Sequence, residues 1–327
     1  MYENLRYVSQ ETYDNWFRSH PKPGDILLTL KGSQNGAACL VPDPVDFVIA
    51  QDMVALRVDE EVIDPLFLFA ALRSDAVQTQ IKNLDVSGVI PHLKKSDFDK
   101  LMLPYPDRDT QRSIGQLYFS LSKKIDLLHR QNKTLEEMAA ALFRQWFVEE
   151  AQEDWEEVNL GAFFPVVTGK KDANFSTDDG EYPFFTCSQT AIKAPSFSFD
   201  GAAILLAGNG DFNVKRYIGK FEAYQRTYVL IPHDIKYFSF LFTLMRYYLS
   251  DITGGHQGSV INFITKGMIT DFTFSMPKDR GLISKKLEQF NEIYEKVDSN
   301  TKQIRALEKL RDTLLPKLMS GEVRVVC

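Results

Sequence analysis

Two stretches of the chain place apolar residues at alternating spacings of three and four, and between them short β-rich runs are punctuated by glycine and proline. The first stretch follows Pro106 and lasts to about Glu150, with no glycine after Gly115 and no proline, so it predicts one long helix. Its seam is Tyr118, Leu121, Ile125, Leu128, Asn132, Leu135, Ala139, Leu142 and Trp146. A second seam, Phe290, Ile293, Val297, Asn300, Ile304, Leu307, Arg311, Leu314 and Leu318, repeats it 172 residues later. Such spacing keeps one face of a helix turned toward a partner helix. In an antiparallel pair, Asn132 opposite Asn300 puts Leu128 against Ile304, Ile125 against Leu307 and Leu135 against Val297, so the neighbouring layers are all apolar. A single polar layer costs stability but fixes register, so the two asparagines are expected to meet. The alternative is that each helix packs on its own domain or on a second chain. The pairing positions are Leu121, Ile125, Leu128, Asn132, Leu135, Leu142, Ile293, Val297, Asn300, Ile304, Leu307 and Leu314.

Outside these seams, runs 26–29, 47–50, 202–206 and 227–231 read as strands, and 65–73 and 238–249 as buried helices. The segment Val89-Ile90-Pro91-His92-Leu93-Lys94-Lys95 matches Val260-Ile261-Asn262-Phe263-Ile264-Thr265-Lys266 at an offset of 171. In the same order, Ile26-Leu27-Leu28 matches Ile204-Leu205-Leu206, Ala50-Gln51 matches Tyr224-Gln225, Leu72-Arg73 matches Met245-Arg246, and Pro106 matches Pro277. So long a period means two copies of one domain plus linker, not a solenoid. The expected organisation is α+β: a first mixed α/β domain over 1–106, a helix over 107–150, a second domain over 151–277 and a second helix over 278–327. At that offset the opening of the second domain, 155–170, has no counterpart at the N-terminus, and the first domain is expected to be N-terminally shortened.

Composition narrows the class. With 327 residues, 44% hydrophobic and 25% charged, the chain is globular and long enough for two domains. Cys39, Cys187 and Cys327 form no CxxC pair, so neither a disulfide framework nor a zinc site is indicated, and a cytoplasmic location fits. No secretory signal is readable at the start, and the most apolar stretch, 237–249, is too short to span a bilayer. The formal net charge of −6 means that any polyanionic partner must be held by local basic loops. Catalytic signatures are missing: no Asn/Asp-Pro-Pro-aromatic run, no Walker loop, and no metal spacing among His20, His92, His129, His233 and His256. Asp234-Ile235-Lys236, with Asp211 or Glu222, matches the tail of a nuclease pattern too short to carry weight.

The helical runs carry a family likeness. Asn132-Lys133-Thr134-Leu135-Glu136-Glu137-Met138-Ala139, continuing to Leu142-Phe143-Arg144-Gln145-Trp146-Phe147, resembles the central conserved helix of type I restriction-modification specificity subunits. The run from Leu307 through Leu314-Leu315-Pro316-Lys317-Leu318-Met319-Ser320-Gly321-Glu322 resembles their distal one. Weaker likeness extends to Pro23-Gly24-Asp25-Ile26-Leu27, Thr168-Gly169-Lys170, Tyr182-Pro183-Phe184-Phe185-Thr186 and Tyr224-Gln225-Arg226-Thr227. The resemblance implies two target-recognition domains, separated by two long antiparallel coiled-coil helices in a pseudo-twofold repeat, that read a bipartite double-stranded DNA site. It also implies two methyltransferase subunits docked on the helices and translocating restriction subunits beyond them. S-adenosylmethionine and ATP are then expected on those partners, and no cofactor or catalytic residue on this chain.

Phosphates call for cations, and base edges for planar amides or guanidinium groups. In the first domain these are Lys31, Gln34 and Asn35 in one turn, and Ser87, His92, Lys94 and Lys95 in a second loop. The second domain offers Asn209, Asn213, Lys215 and Arg216, then His256, Gln257, Ser259, Asn262 and Lys266. Lys170, Lys171, Ser188, Gln189, Gln225 and Arg226 complete its set. Phe143, Trp146 and Phe147 are too many aromatics for a narrow seam, and either close the domain core or face a partner subunit.

Overall fold

The computed structural model describes residues 7–17, 20–49, 51–85, 90–254 and 263–325. They fall into two compact units, residues 1–129 with 302–327, and residues 130–301.

In the first unit a short helix, α1 (Gln10–Trp16), precedes a three-stranded antiparallel sheet with β1 (Ile26–Thr29) between β2 (Ala38–Leu40) and β3 (Met53–Leu56). The central strand is apolar on both faces because both are covered. Ile26 and Leu28 pack with Phe69, Leu72, Val77 and Ile81 of α2 (Pro65–Leu72) and α3 (Asp75–Asn83), while Leu27 packs with Val41 and Ile49. Asp64 starts α2 by accepting the Phe67 amide at 2.9 Å, and Pro65 occupies the first turn, where an amide is not needed. This is the buried helix expected at 65–73. The strand expected at 47–50 is corrected: Phe47 to Ile49 join no ladder, and Met53–Leu56 pairs with β1 instead. Phe47 and Ile49 serve as apolar cover for the far face of the sheet.

Asp25, at the start of β1, is 5% exposed and ties the sheet together. It accepts from Arg57 Nε at 3.0 Å, Arg57 Nη2 at 2.7 Å and the Lys22 amide at 2.8 Å. Burial alone would raise its pKa, but the Arg57 and Lys22 hydrogen bonds and the attraction of both cations prevail and hold it below the usual value. A lowered carboxylate pKa stabilises the fold above the unfolded pKa, and the benefit disappears as pH falls through the folded one. Asp25→Asn should therefore cost about 1–2 kcal/mol at neutral pH, Arg57 being half-exposed. The deficit should close on acidification, and urea midpoints that differ by a constant amount at every pH would contradict the assignment.

In the second unit β4 (Glu156–Asn159) pairs with β11 (Thr273–Met276). A six-stranded sheet runs in the order β5 (Val166–Thr168), β10 (Thr227–Leu230), β8 (Phe199–Ala207), β9 (Val214–Ala223), β6 (Tyr182–Phe185), β7 (Ile192–Ala194). Helix α5 (Phe238–Tyr247) is buried on the sheet, the short α6 (Leu249–Ile252) follows it, and α7 (Lys266–Thr270) packs near Leu160. The repeat holds in register. Ile26, Leu27, Leu28 and Thr29 face Leu56, Ala55, Val54 and Met53, just as Ile204, Leu205, Leu206 and Ala207 face Leu230, Val229, Tyr228 and Thr227.

Helices α4 (Arg108–Arg144) and α8 (Ser284–Ser320) contribute to both units. In the first unit Ile125, Leu128, Ile304 and Leu307 share one apolar cluster, while Leu117, Tyr118 and Leu121 lie by Leu314, Leu315 and Leu318. In the second, Leu135 and Val297 share the main core. Rising numbers on α4 meet falling numbers on α8 in each unit, so the pair is antiparallel. Asn300 is fully buried and donates to Asn132 Oδ1 at 2.8 Å and to Gln131 Oε1 at 3.0 Å. Asn132 donates to Thr301 Oγ1 at 3.3 Å, so the asparagines meet as expected. Asn300→Leu alone sets an apolar side chain against the half-buried Asn132 and leaves Asn132 Oδ1 without its donor, so it should cost about 1–3 kcal/mol, whereas adding Asn132→Leu should recover most of it. Urea unfolding of the two singles and the double tests this, and simply additive losses would show that the side chains do not interact.

The last turn of α4 widens into a π-turn over Gln145–Glu149. Phe143 and Phe147, at 1% and 5% exposure, stack at 5.6 Å between ring centroids, and Phe240 lies 4.7 Å from Phe147. The partner-facing expectation is corrected for these two: they close the core of the second unit. Trp146 is half-buried, edge-on to Phe290 at 5.9 Å, with the Lys286 ammonium 5.3 Å from its ring. No helix among the described residues is long and apolar enough to cross a membrane.

Candidate nucleic-acid interface

In the first unit the two polar loops singled out in the sequence are joined by backbone. Lys31 and His92 form an antiparallel bridge, the Gly32 amide donates to Pro91 O at 2.9 Å, and the Leu93 amide donates to Leu30 O at 2.8 Å. Buried Leu30 and Leu93 anchor the join from below. Above it Lys31, Gln34, Lys94 and Lys95 are exposed, with Asn35 and His92 half-buried. Gly36, at φ +88°, lets the turn close so that its amide donates to Thr29 O at 2.8 Å. Ser87 lies outside the described residues.

The second unit repeats the join. Asn209 and Phe263 form the antiparallel bridge, and the Ile264 amide donates to Gly208 O at 2.9 Å. Three further segments converge there. Gly208 donates to Arg226 O at 2.8 Å, Gly169 donates to Thr227 O at 2.9 Å, and the Gln225 amide donates to Lys171 O at 2.9 Å. The backbones approach so closely that a Cβ on Gly169 would lie 2.2 Å from Ala223 O, and one on Gly208 2.5 Å from Arg226 O. Cys187 Sγ donates to Asn209 Oδ1 at 2.9 Å and brings in the 186–190 turn, where Ser188 and Gln189 are exposed. Thr168, Asn209, Gln225, Arg226, Tyr228 and Phe263 line a cleft of about 490 Å³. Of its lining, Gln225 and Arg226 are exposed and Phe263 is 68% exposed; in the flanking segments Lys170 and Lys266 are exposed, the Lys170 ammonium lying 5.8 Å from the Phe199 ring, and Lys171 is half-buried beside Phe175.

Three expected contacts are corrected. Asn213 is 6% exposed and spends its amide on Cys187 O and Asp211 O, both at 2.8 Å. Lys215 is half-buried and donates to Thr186 O at 3.1 Å, and burial pushes its pKa down. Arg216 turns inward: its side chain is 10% exposed and donates to Asp298 Oδ1 at 2.8 Å, with the guanidinium 4.8 Å from the Tyr294 ring and 4.9 Å from that of Phe238. These residues hold the frame beneath the loops. As neighbours on β9, Lys215 and Arg216 point to opposite faces, one toward Thr186 and the other toward Asp298 and Tyr294, so they do not share one loop surface. His256, Gln257, Ser259 and Asn262 lie outside the described residues.

Sequence reasoning missed Phe263 as a cleft residue, although its place in the repeat, level with His92, was a usable signal. It also missed the Arg246–Glu136 ion pair at 2.8 Å. The nuclease-like residues are otherwise engaged. Glu222 is fully buried, accepting from Ser198 Oγ at 2.7 Å and from the Ala223 amide at 2.9 Å, while Asp234 caps its own turn and pairs with Lys236.

Residues 10–137 and 152–309 match the family described as "Type I restriction modification DNA specificity domain". The chain is 43% identical over 173 residues to the type I restriction enzyme EcoDI specificity subunit of Escherichia coli, a match covering 52% of this chain and 39% of that protein. It is 22% identical over 300 residues to the MjaIX specificity subunit of Methanocaldococcus jannaschii, covering 79% and 69%. In fold it is similar to the crystal structure of a type I restriction-modification S subunit from M. genitalium, with TM-score 0.61, 20% identity, and coverage of 91% of this chain and 83% of that one.

Proposed function

The chain belongs to the type I restriction-modification DNA specificity family, and from that premise we propose that it reads double-stranded DNA at a bipartite target, one half-site for each sheet domain. The observation that carries this reading is the duplicated join: Lys31 bridged to His92 in one unit, Asn209 bridged to Phe263 in the other. Each gathers cations for phosphates and planar groups for base edges at the same place in the domain. The chain performs no chemistry of its own. It serves in the cytoplasm as the adaptor on which two methyltransferase subunits and the restriction subunits assemble, and those partners hold S-adenosylmethionine and ATP.

Footprinting of target DNA with the assembled complex tests the proposal, and two protected half-sites are the expected result. A single protected half-site would favour a second reading, in which only the second unit reads DNA and the first serves assembly. One observation speaks for that reading: β3 lacks a neighbour equivalent to β5 among the described residues. Sequencing of modified adenines in cells carrying the system would give the bases.

A further inference from the structure

The strands β1, β2 and β3 pair in the same register as β8, β9 and β10, but among the described residues the first sheet has no counterpart of β6 and β7 beyond β2 and none of β5 beyond β3. In the second unit the outer edge of β10 is taken by β5, with Val229 opposite Val167 and Leu230 opposite Val166. The segment 156–168, which carries β4 and β5, sinks Leu160, Phe164 and Val166 into the core at 0%, 1% and 4% exposure. It is also pinned by backbone, the Leu160 amide donating to Phe272 O at 2.8 Å and the His233 amide to Phe163 O at 2.9 Å.

In the first unit β3 is an outer strand, and no strand lies beyond it among the described residues. Beside it is a cleft of about 500 Å³ lined by Leu56, Val58, Ile63, Leu68, Phe98 and Leu103. The repeat gives this cleft a meaning. Leu56 corresponds to Leu230 and Leu68 to Leu241, and both second-unit residues are fully buried. Leu56 and Leu68 are only half-buried, as is Leu103, whose counterpart Phe274 is 8% exposed. Among the described residues the backbone of β3 likewise has no strand partner on that side. Thr227 O accepts from Gly169 on the β5 side, so residues of that parity, Thr227 and Val229, turn their peptide groups outward. Their counterparts Met53 and Ala55 present the same groups to the open edge. An unpaired strand edge is a template for another strand.

We propose that β3 and its cleft form an acceptor for an extended segment of another polypeptide, added antiparallel to β3 as β5 is to β10. The segment carries bulky apolar side chains spaced like Leu160, Phe164 and Val166. Its chemistry is read from the equivalent place in the same chain, where such a segment is already seated.

The test uses the full chain without DNA and a fluorescein-labelled peptide copying residues 154–169. Saturable binding is expected, with slowed hydrogen exchange at the Met53 and Ala55 amides. Ala55→Pro deletes an outward-facing amide and spares the bonds to β1, so it should weaken binding about tenfold or more. Val62→Arg, on the cleft rim where Val62 is 52% exposed, should do the same and serves where the proline variant does not fold. Binding no stronger than that of a scrambled peptide, or unchanged in both variants, overturns the proposal. So does a dimer of the chain that both variants dissolve, which assigns the edge to a second copy. Faster exchange at Met53 and Ala55 on deletion of residues 1–6 overturns it as well, by assigning the edge to the chain's own beginning. None of these outcomes depends on DNA recognition.

Discussion

Replacing Arg216 with alanine should lower the unfolding free energy of the second unit by about 3 kcal/mol, the low end of the cost of breaking a buried ion pair, because its partner stays partly hydrated. The cation leaves β9 for α8, donates to Asp298 Oδ1 at 2.8 Å and Tyr294 O at 3.3 Å, and lies between the Phe238 and Tyr294 rings. Burial pushes its pKa down while Asp298 pulls it up, and burial prevails, so the ion is held in costly surroundings by its partners. Truncation removes the charge, leaves Asp298 unmatched at 37% exposure and opens a void among aromatic rings. Asp298→Ala should cost a similar amount, since it leaves a guanidinium buried alone. Arg216→Met fills the void without a charge and should lose clearly less. Equilibrium unfolding in guanidinium chloride gives the ranking, and an alanine variant within about 0.5 kcal/mol of the parent would contradict it.

Changing Lys170, Arg226 and Lys266 together to glutamine should weaken binding of target DNA by the assembled complex on the order of a hundredfold at about 0.1 M salt, and should reduce the slope of log K against log salt by up to about three. All three side chains are exposed; Arg226 lines the cleft, and Lys170 and Lys266 each follow a lining residue, Thr168 and Ile264, by two positions. The fold should therefore be unaffected, and an unchanged thermal melt is the control. Arg226→Ala alone should both weaken binding and relax selectivity at one base pair, since a guanidinium beside the planar amide of Gln225 suits base edges better than phosphate alone. Titrations over a range of salt concentrations separate these effects. An unaltered slope in the triple variant would remove this cleft from the DNA-facing surface.

The helices and the repeat were legible in the sequence because both are periodic. A seam spaced by threes and fours states which face is covered, and one asparagine in each seam sufficed to set the register that joins Asn132 to Asn300. The third strand of the first unit was legible in principle. The match of Ala50-Gln51 to Tyr224-Gln225 carries the strand at Thr227–Leu230 onto Met53–Leu56, whereas hydrophobicity alone favoured Phe47. Arg216 was not legible. Next to Lys215 it reads as part of a basic loop, and what draws it inward is Tyr294 and Asp298, 78 and 82 residues away, which no local pattern displays. Asp25 and Arg57 form another such distant pair, visible only once β1 and β3 are side by side.

The joins Lys31 to His92 and Asn209 to Phe263 are made of main chain, with buried leucine or isoleucine underneath and, in the second, glycines where the backbones crowd. Peptide groups are common to every amino acid, so the scaffold is indifferent to which side chains project from it. Exposed residues on the outer surface of such loops can therefore be exchanged one at a time without disturbing the main-chain joins that hold the loops in place.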